Sequence, residues 1–272
     1  MRRRLPLLLL PLVAMLGGCG PKVAIAPGQI VSNNPCIDAI LAEIAAPGQI
    51  GAVSIWSHDP ASASAPLSWS RQMPALGLTA EEVIAARPKL LLTGNLAQGG
   101  TQAALAAAGI PMRAYGVPAT IDDSLTQIAD VAQAIDRKAA GAALVARIRA
   151  ATQPVHRAKR PSAIIWQSGG FVPGKGTLQD AMLDRAGFAN ASATYGLKQW
   201  DVLPIETLMK NPPDIIFMPM TAMGDDGRAL VARQKLLRHS AGHTRVMPFP
   251  DRLLFCGGPT MIEAMQRLKA AA

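Results

Sequence analysis

The 272-residue chain is poor in the residues that most often form metal sites. It has four histidines and three cysteines, and neither Cys36 nor Cys256 has a histidine nearby in the sequence. His239 and His243 are four residues apart, but the Ser-Ala-Gly segment between them disfavours a helix that would place both on one face. Structural zinc needs four ligands at closer spacing. We therefore expect no protein-bound metal ion and no cofactor.

Clustered positive charge is also lacking, although the formal net charge is +9. Three of the basic residues, Arg2–Arg4, lie at the N-terminus, and the others are scattered apart from a short run at residues 157–160. Surfaces that bind nucleic acids combine clustered Lys and Arg with aromatic residues. The sequence has no such surface, so we expect no nucleic-acid partner.

Nucleotide-binding and nucleophile motifs are missing as well. No GxGxxG or Walker sequence follows a strand-like segment. The nearest approach to a nucleophile turn is the Gln-Ser-Gly-Gly sequence at residues 167–170, which lacks the leading glycine of GxSxG. No histidine lies in a context typical of a Ser–His–Asp triad. We predict that the protein is not an enzyme, and a secreted α/β hydrolase is the alternative.

Long hydrophobic runs are absent beyond the N-terminus. Residues 5–16 are apolar, but they are too short and too rich in proline to span a membrane, and three arginines precede them, as in a signal peptide. The Leu-Gly-Gly-Cys sequence that follows resembles a bacterial lipobox, in which Cys19 becomes the first mature residue and carries a lipid. We predict a signal peptide at 1–18, a lipid-anchor linker at 19–28 and a periplasmic, membrane-anchored lipoprotein.

Beyond the linker, short apolar strands alternate with short helices, which is the pattern of a parallel sheet covered on both faces. The alternation occurs in residues 29–119 and again in 158–272. We predict an α/β fold with two Rossmann-like lobes and a ligand cleft between them. Strands are expected at 29–32, 51–55, 90–92, 112–115, 162–166, 214–218 and 245–249, and helices at 36–45, 80–87, 101–108, 178–185, 203–210, 227–238 and 259–270.

Residues 120–157 contain the longest helical pattern and separate the two lobes. Apolar residues recur there at three- and four-residue steps, and Thr120 with Asp123 forms a capping-box signature. Asp136 is expected to cap a second helix that runs towards Thr152, and a proline two residues later should end it. That helix would be about 25 Å long. We predict that this segment supplies a single long helix that joins the lobes and fixes their separation.

One sequence pattern occurs once in each half. In residues 81–92 and again in 206–217, a glutamate opens a two-turn helical segment, a proline follows seven positions later, one residue is skipped and an apolar strand begins. A short helix, a proline stop and a buried strand form a common unit. Its occurrence on both sides of the helical segment favours two related lobes.

Together these features resemble the helical-backbone class of periplasmic substrate-binding proteins of ABC importers for iron–siderophore complexes, haem and vitamin B12. The resemblance covers residues 29–272 and depends on the lipobox, the Ile-Val-Ser-Asn-Asn-Pro sequence at 30–35, the two Glu-x6-Pro segments and the long intervening helix. It implies a protein that captures a metal chelate, of the iron–siderophore or cobalamin type, and delivers it to a membrane permease. A haem-binding variant of the same family is an alternative.

The resemblance places ligand contacts in the loops at strand ends that face the cleft. Flat apolar side chains suit a large planar or chelated ligand, although each loop aromatic would equally serve to cover the core. For haem, which normally takes an axial tyrosine or histidine, the candidate ligand is Tyr195, and His58 is the alternative. The predicted ligand-binding residues are Asn34, Trp56, Ser57, Asn95, Gly170, Phe171, Tyr195, Trp200 and Met223.

In the family that the chain resembles, one glutamate on each lobe docks on the permease, and by position these are Glu81 and Glu206. A carboxylate at a helix N-terminus is stabilised by the helix dipole and pairs well with arginine. Helix-end electrostatics alone would also explain both residues, and Glu82 is an alternative to Glu81.

The remaining expectations concern the two cysteines of the mature chain and the partners. In an oxidising compartment, Cys36 and Cys256 form either a disulfide that joins the lobes or two buried free thiols. The expected partners are a small-molecule metal chelate, the transmembrane dimer of an ABC permease and the membrane through the lipid anchor. The protein is expected to be a monomer.

Overall fold

The structure is a computed structural model that describes residues 25, 28–77, 79–94, 99–220, 231, 234, 235, 237 and 244–271. The predicted signal peptide at 1–18, Cys19, Asn95, Met223 and most of the helix predicted at 227–238 lie outside the described residues. Within the described part of the chain, no helix is long and apolar enough to cross a membrane.

The N-terminal lobe is a parallel sheet with helices on both faces, as predicted. Its strands are β1 (Ile30–Ser32), β2 (Ile50–Ser54), β3 (Ala75–Leu76), β4 (Leu90–Gly94) and β5 (Met112–Tyr115), and its helices are α1 (Pro35–Ile44), α2 (Leu67–Ser70), α3 (Ala80–Ala86) and α4 (Gly99–Ala107). The five strands are ordered β3-β2-β1-β4-β5. Ile30 packs in the core that contains α1, whereas Val31 packs with α3 and α4 on the opposite face.

Capping residues explain where the helices of this lobe begin. The side chain of Asn34 accepts a hydrogen bond from the backbone N–H of Cys36, and Pro35 occupies the first turn of α1, where no donor is needed. The side chain of Thr79 accepts from the backbone N–H of Glu82 at the start of α3. Arg87 ends α3 in the left-handed conformation, just before a proline.

The C-terminal lobe repeats the parallel design on a smaller scale. Its strands are β6 (Ser162–Ile165), β7 (Phe171–Pro173), β8 (Ala189–Asn190), β9 (Trp200–Val202), β10 (Ile215–Met218) and β11 (Arg245–Pro248). Four of them form a parallel sheet ordered β11-β10-β6-β8, and β7 pairs with β9 as a separate antiparallel ribbon. The helices are α7 (Leu178–Arg185), α8 (Ile205–Lys210) and a helix at Thr260–Ala270, which we call α9.

The segment between the lobes consists of two helices, α5 (Ile121–Ala134) and α6 (Lys138–Ala151). The prediction of a single long linker helix is therefore wrong. The predicted capping box is present, with Thr120 and Asp123 each bonded to the backbone of the other. Asp136 does not cap α6: it lies in the turn with a φ of 56°, and Arg137 is the N-cap. Each helix has 14 residues and is about 21 Å long.

Helices from both lobes pack with α5 and α6 into one layer, which we call the shared helical layer (α1, α5, α6, α7 and α9). Their apolar faces belong to a single buried cluster that also contains strand residues of both sheets. Gly141 of α6 is needed there because a Cβ at this position would overlap with the Cβ of Ala132 on α5. Members of the cluster that are less than 3% exposed include Ile37, Leu41, Ile128, Val131, Leu144, Ile148, Met182, Met261, Met265 and Leu268.

A disulfide joins Cys36, at the start of α1, to Cys256, which precedes α9. Of the two alternatives that the sequence left open, the bridged form is therefore the one present. It links positions 220 residues apart in different lobes. Nearby, the backbone N–H of Gly258 donates to Oγ of Ser124 on α5 at 2.7 Å. The starts of α1, α5 and α9 are thus tied together at the junction of the lobes.

The close approach at Gly141 leads to a test of the shared helical layer. We expect Gly141→Ala to lower the free energy of unfolding by about 1–3 kcal/mol, because the added methyl group overpacks the contact with Ala132. Gly100→Ala in α4 is the matched control, since a Cβ there meets nothing within 4 Å. It should raise stability by about 0.5–1 kcal/mol through helix propensity. Urea unfolding of both variants measures these changes. If Gly141→Ala and Gly100→Ala changed the free energy of unfolding equally and in the same direction, the packing argument would be contradicted.

Candidate functional site

Exposed apolar side chains concentrate on segments that follow the carboxyl ends of the parallel strands. Of the ten large hydrophobic side chains that are exposed among the described residues, eight lie on such segments. In open α/β sheets ligands bind at this edge. We call these eight residues the apolar rim: Ile55 and Trp56 after β2, Val117 after β5, Phe171, Trp200 and Val202 on the β7–β9 ribbon, Met220 after β10, and Phe255 before α9.

The two lobes bring parts of the rim to one cavity. Residues 117–119 of the N-terminal lobe and residues 176–179 and 199–200 of the C-terminal lobe enclose a space of about 200 Å³. Val117 and Trp200 line it from opposite lobes and are 82% and 45% exposed. A ligand that covered both side chains would therefore contact both lobes at once.

Trp56 is presented by a short 3₁₀ turn, Ile55–His58, at the end of β2. Oγ of Ser54 accepts from the backbone N–H of Trp56 at 3.3 Å, and Oγ of Ser62 donates to its carbonyl oxygen at 3.0 Å. The indole ring remains 47% exposed although its backbone is held on both sides. Such an arrangement offers a flat apolar face to a ligand without loss of backbone order.

Phe171, Trp200 and Val202 are presented by the β7–β9 ribbon. The chain enters the ribbon through Gly169 and Gly170, both at positive φ, and the N–H of Leu203 donates to the carbonyl of Gly170 at 2.9 Å. At the other end, the N–H of Gly174 donates to the carbonyl of Gln199 at 2.8 Å. A Cβ at Gly174 would overlap with the carbonyl of Lys198, so only glycine allows this approach.

A buried carboxylate lies beneath the Trp56 turn. Oδ2 of Asp38, on α1, accepts from Oγ of Ser57 at 2.6 Å and from the backbone N–H of Ser54 at 2.8 Å. Asp38 is fully buried, and desolvation raises its pKa to about 7 despite the hydrogen bonds that favour the ionised form. Sequence inspection did not single it out, because an aspartate in the first turn of a helix is ordinary.

Three predicted ligand residues have structural roles. Oδ1 of Asn34 caps α1, and the rest of this partly buried side chain lies near Gly94. Ser57 is fully buried and its hydroxyl donates to Asp38. The prediction that Ser57 lies on the surface of the cleft is therefore wrong. Gly170 is likewise buried, and it serves the turn into the ribbon.

The prediction that Tyr195 binds the ligand is also wrong. Its hydroxyl donates to the carbonyl of Asn211 at 2.6 Å, and its ring packs against the core of the C-terminal lobe. Asn211 follows α8 and precedes β10, so this bond lies at the edge of the sheet opposite the cleft. Burial raises the pKa of Tyr195, which further disfavours the phenolate that binds iron.

Trp56, Phe171 and Trp200 are the predicted site residues that the structure leaves exposed on the rim. The sequence analysis missed five further members, which lie at strand ends or in the segments that follow them: Ile55, Val117, Val202, Met220 and Phe255. Their position near strand ends could have indicated a place on the rim, but an apolar residue beside a strand end can equally be buried. Only the pairing of the strands and lobes shows which side chains remain uncovered.

Protein-derived metal ligands are not grouped in the part of the chain that the structure describes, where no three His, Cys, Asp or Glu residues could hold an ion. His58 is next to the rim, but its Nε2 is 3.0 Å from the carbonyl oxygen of Ser70. Tyr115 donates its hydroxyl to Asp130 at 2.8 Å.

A larger cavity of about 360 Å³ lies between α1, residues 60–67 and α9. No aromatic side chain lines it. Its charged wall residues are already paired, since Arg252 contacts both carboxylate oxygens of Glu263 at 2.7 Å and Glu43 contacts Arg147 at 2.7 Å. The apolar rim, with exposed aromatic groups from both lobes, is the better ligand site.

Two α/β lobes that share one helical layer and expose an apolar rim between them define a two-lobed solute-binding protein. The sequence model of the periplasmic binding proteins matches residues 30–241. The chain therefore belongs to the periplasmic binding protein family, a family of solute-binding transport proteins. No curated protein matches the chain.

Solved structures with a similar fold come from the same class. The fold is similar to the periplasmic heme-binding protein RhuT from Roseiflexus sp. RS-1, with a TM-score of 0.71 and 23% identity over 90% of this chain and 99% of that chain. A periplasmic heme-binding protein from Pseudomonas aeruginosa gives 0.67 and 20% over 90% and 92%. An ABC-type Fe3+-hydroxamate transport protein from Saccharomonospora viridis gives 0.63 and 21% over 90% and 92%. At these identities the likeness establishes the fold alone.

The ribbon geometry leads to a test of how the C-terminal lobe presents its aromatic groups. We expect Gly174→Ala to cost about 1–3 kcal/mol of stability, because its Cβ would force β7 and β9 apart. Trp200 should move with the ribbon, so the tryptophan emission should also change. Lys175→Ala, at the exposed neighbouring position, is the control and should stay within about 0.5 kcal/mol of the unmodified protein. Unchanged stability and emission in Gly174→Ala would contradict the assigned role of this glycine.

Proposed function

We propose that the protein captures a bulky metal chelate of the iron–siderophore or corrinoid type in the cleft between its lobes and delivers it to an ABC permease. The observation that carries the proposal is the apolar rim, which exposes Trp56, Phe171 and Trp200 from two lobes. Uncovered aromatic surface is costly in water and is retained where a ligand will cover it. A chelate with a fully coordinated metal needs shape and apolar contact from the protein and no protein ligand to the metal.

Haem is the second candidate. Two observations favour it: flat aromatic side chains suit a porphyrin face, and several proteins of similar fold are named as heme-binding. Against it stands the engagement of Tyr115, Tyr195 and His58 with other protein groups, because haem iron normally takes an axial ligand from the protein. The three ligand classes are therefore separated by direct titration.

The location and state of the protein belong to the same proposal. The sequence at residues 1–19 supports export with lipidation at Cys19, which would keep the mature protein at the membrane surface as a monomer. The Cys36–Cys256 disulfide agrees with an oxidising compartment. A transport role without catalysis is supported by the family and by the absence of a nucleophile motif in the sequence.

For permease docking, we infer that Glu81 and Glu206 are the contact residues. Each is exposed in the first turn of a helix that begins on the cleft side of its lobe, and within the described residues neither carboxylate has a hydrogen-bond or ion-pair partner. The Glu82 carboxylate instead folds against the backbone of Gly77. This contrast favours Glu81 over Glu82. Arginine side chains on the permease would pair well with two free carboxylates held at fixed spacing.

The ligand class is tested by tryptophan-fluorescence titration of the mature protein with cyanocobalamin, haemin and a panel of ferric siderophores. At least one should quench the emission and saturate. Trp56→Ala should weaken its binding by at least about 1 kcal/mol, because stacking on the indole is lost. Trp69→Phe is the control, since Trp69 is partly buried against the core and is not one of the exposed rim residues. Equal affinity in Trp56→Ala would remove Trp56 from the site, and no binding by any probe would contradict the proposed function.

The docking residues are tested by separating binding from transport. We expect the double variant Glu81→Ala, Glu206→Ala to bind its ligand with unchanged affinity, because both residues lie outside the rim, and to lose uptake in cells that carry the cognate permease. Glu82→Ala is the matched control and should retain both. A double variant that binds weakly but still supports uptake would show that the assignment is wrong.

A further inference from the structure

One buried group near the cleft has no part in ligand contact as described above. Asp38 is fully buried on α1, and α1 belongs to the shared helical layer. Its Oδ2 atom receives two hydrogen bonds from the end of β2 and the following turn, and the Ser32 hydroxyl of β1 also favours its ionised form, whereas its Oδ1 atom has no partner at hydrogen-bond distance among the described residues. A half-satisfied buried carboxylate is costly for stability. A carboxylate that is buried at this cost is a candidate for a functional role.

The bonds of Asp38 lead directly to the ligand-contacting turn. Oγ of Ser57 donates to Asp38 at 2.6 Å, and Ser57 is the neighbour of Trp56 in the chain. The carbonyl of Ser57 in turn accepts from Oγ of Ser70 on α2 at 2.6 Å. The other donor to Asp38, the N–H of Ser54, lies two residues before Trp56. The turn that carries Ile55 and Trp56 is thus fixed to α1 on both sides of the indole.

We propose that Asp38 is a positioning residue for ligand binding, which holds the Ile55–His58 turn against α1 so that Trp56 is preset to cover the chelate. The proposal rests on the proposed function, since it assumes that Trp56 contacts the ligand. Asp38 itself touches no ligand. It acts through Ser57 and Ser54, and it connects α1 of the shared helical layer to the turn that carries Trp56.

The surroundings of Asp38 make this coupling sensitive to pH. Burial raises its pKa to about 7, with no charged side chain of the described residues contributing to the shift. Of the titratable groups on the neighbouring elements, His58 is bonded to the carbonyl of Ser70, Arg71 donates to the carbonyl of His58, and Glu43 on α1 is paired with Arg147 of α6. The carboxyl group of Asp38 thus changes charge in the neutral range, away from other charges.

The direction of the pH effect follows from the sign of the shift. A folded-state pKa above the ordinary value means that the dry, closed turn favours the protonated carboxyl group, and this stabilisation is lost as the pH rises through about 7. Ionised Asp38 favours arrangements in which water reaches Oδ1 and the turn loosens. We therefore expect ligand affinity to fall by at least about threefold between about pH 6 and about pH 8.

The test uses haemin and the other titration probes with three variants of the mature protein. Asp38→Asn keeps an acceptor for Ser57 and Ser54 but cannot ionise, so it should bind as the unmodified protein does at pH 6 and lose the pH dependence. Asp38→Ala and Ser57→Ala remove the bond from either end, and each should weaken binding by about tenfold at both pH values. Ser57→Ala removes a single hydroxyl group and guards against a failure of Asp38→Ala to fold.

A readout without ligand separates this proposal from the proposed function. Amide hydrogen exchange of residues 54–58 should quicken in Asp38→Ala and stay slow in Asp38→Asn. Two controls should change nothing: Thr93→Val, which removes a buried hydroxyl that has no partner among the described residues, and Glu43→Gln, which alters a different carboxylate of α1.

Unchanged exchange and affinity in Asp38→Ala and Ser57→Ala, or a pH slope that survives in Asp38→Asn, would overturn the positioning role. A failure of every probe to bind the unmodified protein would instead contradict the proposed function, and hydrogen exchange would then decide alone whether Asp38 holds the turn.

Discussion

The structure depends on one hydrophobic contact surface, the shared helical layer, because it packs between two sheets that make no strand contact with each other in the described part of the chain. Ile128, Leu144 and Ile148 are almost wholly buried in it, and burial of each such side chain contributes about 1.5–3 kcal/mol. The cluster continues into strands of both lobes, so separating the lobes would expose core residues of each. The Cys36–Cys256 disulfide adds a covalent link at the same junction. The cleft is therefore held at a nearly fixed width.

Because the lobes are held together, the side chains of the rim depend on the local segments that carry them. The N-terminal lobe uses a compact turn anchored by hydroxyl groups, and the C-terminal lobe uses the β7–β9 ribbon, which glycines allow to fold tightly. Both devices leave an indole ring about half exposed, at Trp56 and Trp200, on a backbone that is hydrogen-bonded. Preset aromatic surfaces lower the ordering cost of binding. This explains how a chain with few aromatic residues can present several of them to one ligand.

The same packing also fixes the relative positions of α3 and α8, which would face a permease. α3 and α8 begin on the cleft side, each with a glutamate in its first turn and each followed by a proline and a buried strand. The repeated pattern predicted from sequence is confirmed at the strands, since β4 begins at Leu90 and β10 at Ile215. The spacing between Glu81 and Glu206 is set by the shared helical layer, which holds the two lobes that carry them.

The sequence by itself determined the local elements and the two-lobed α/β class, because apolar periodicity, caps and proline stops act over a few residues: β5 and α7 lie where they were predicted, and most other elements within two residues. It did not determine that Asp136 lies in the turn and leaves Arg137 as the N-cap, nor the β7–β9 ribbon, the burial of Ser57 or the hydrogen bond of Tyr195 to Asn211. These depend on contacts between different elements, such as Gly141 of α6 with Ala132 of α5 or Gly174 with Lys198 across the ribbon. Tertiary structure alone decided which strand-end side chains stay uncovered, since exposure is a property of the packed molecule and not of a residue or its neighbours in sequence.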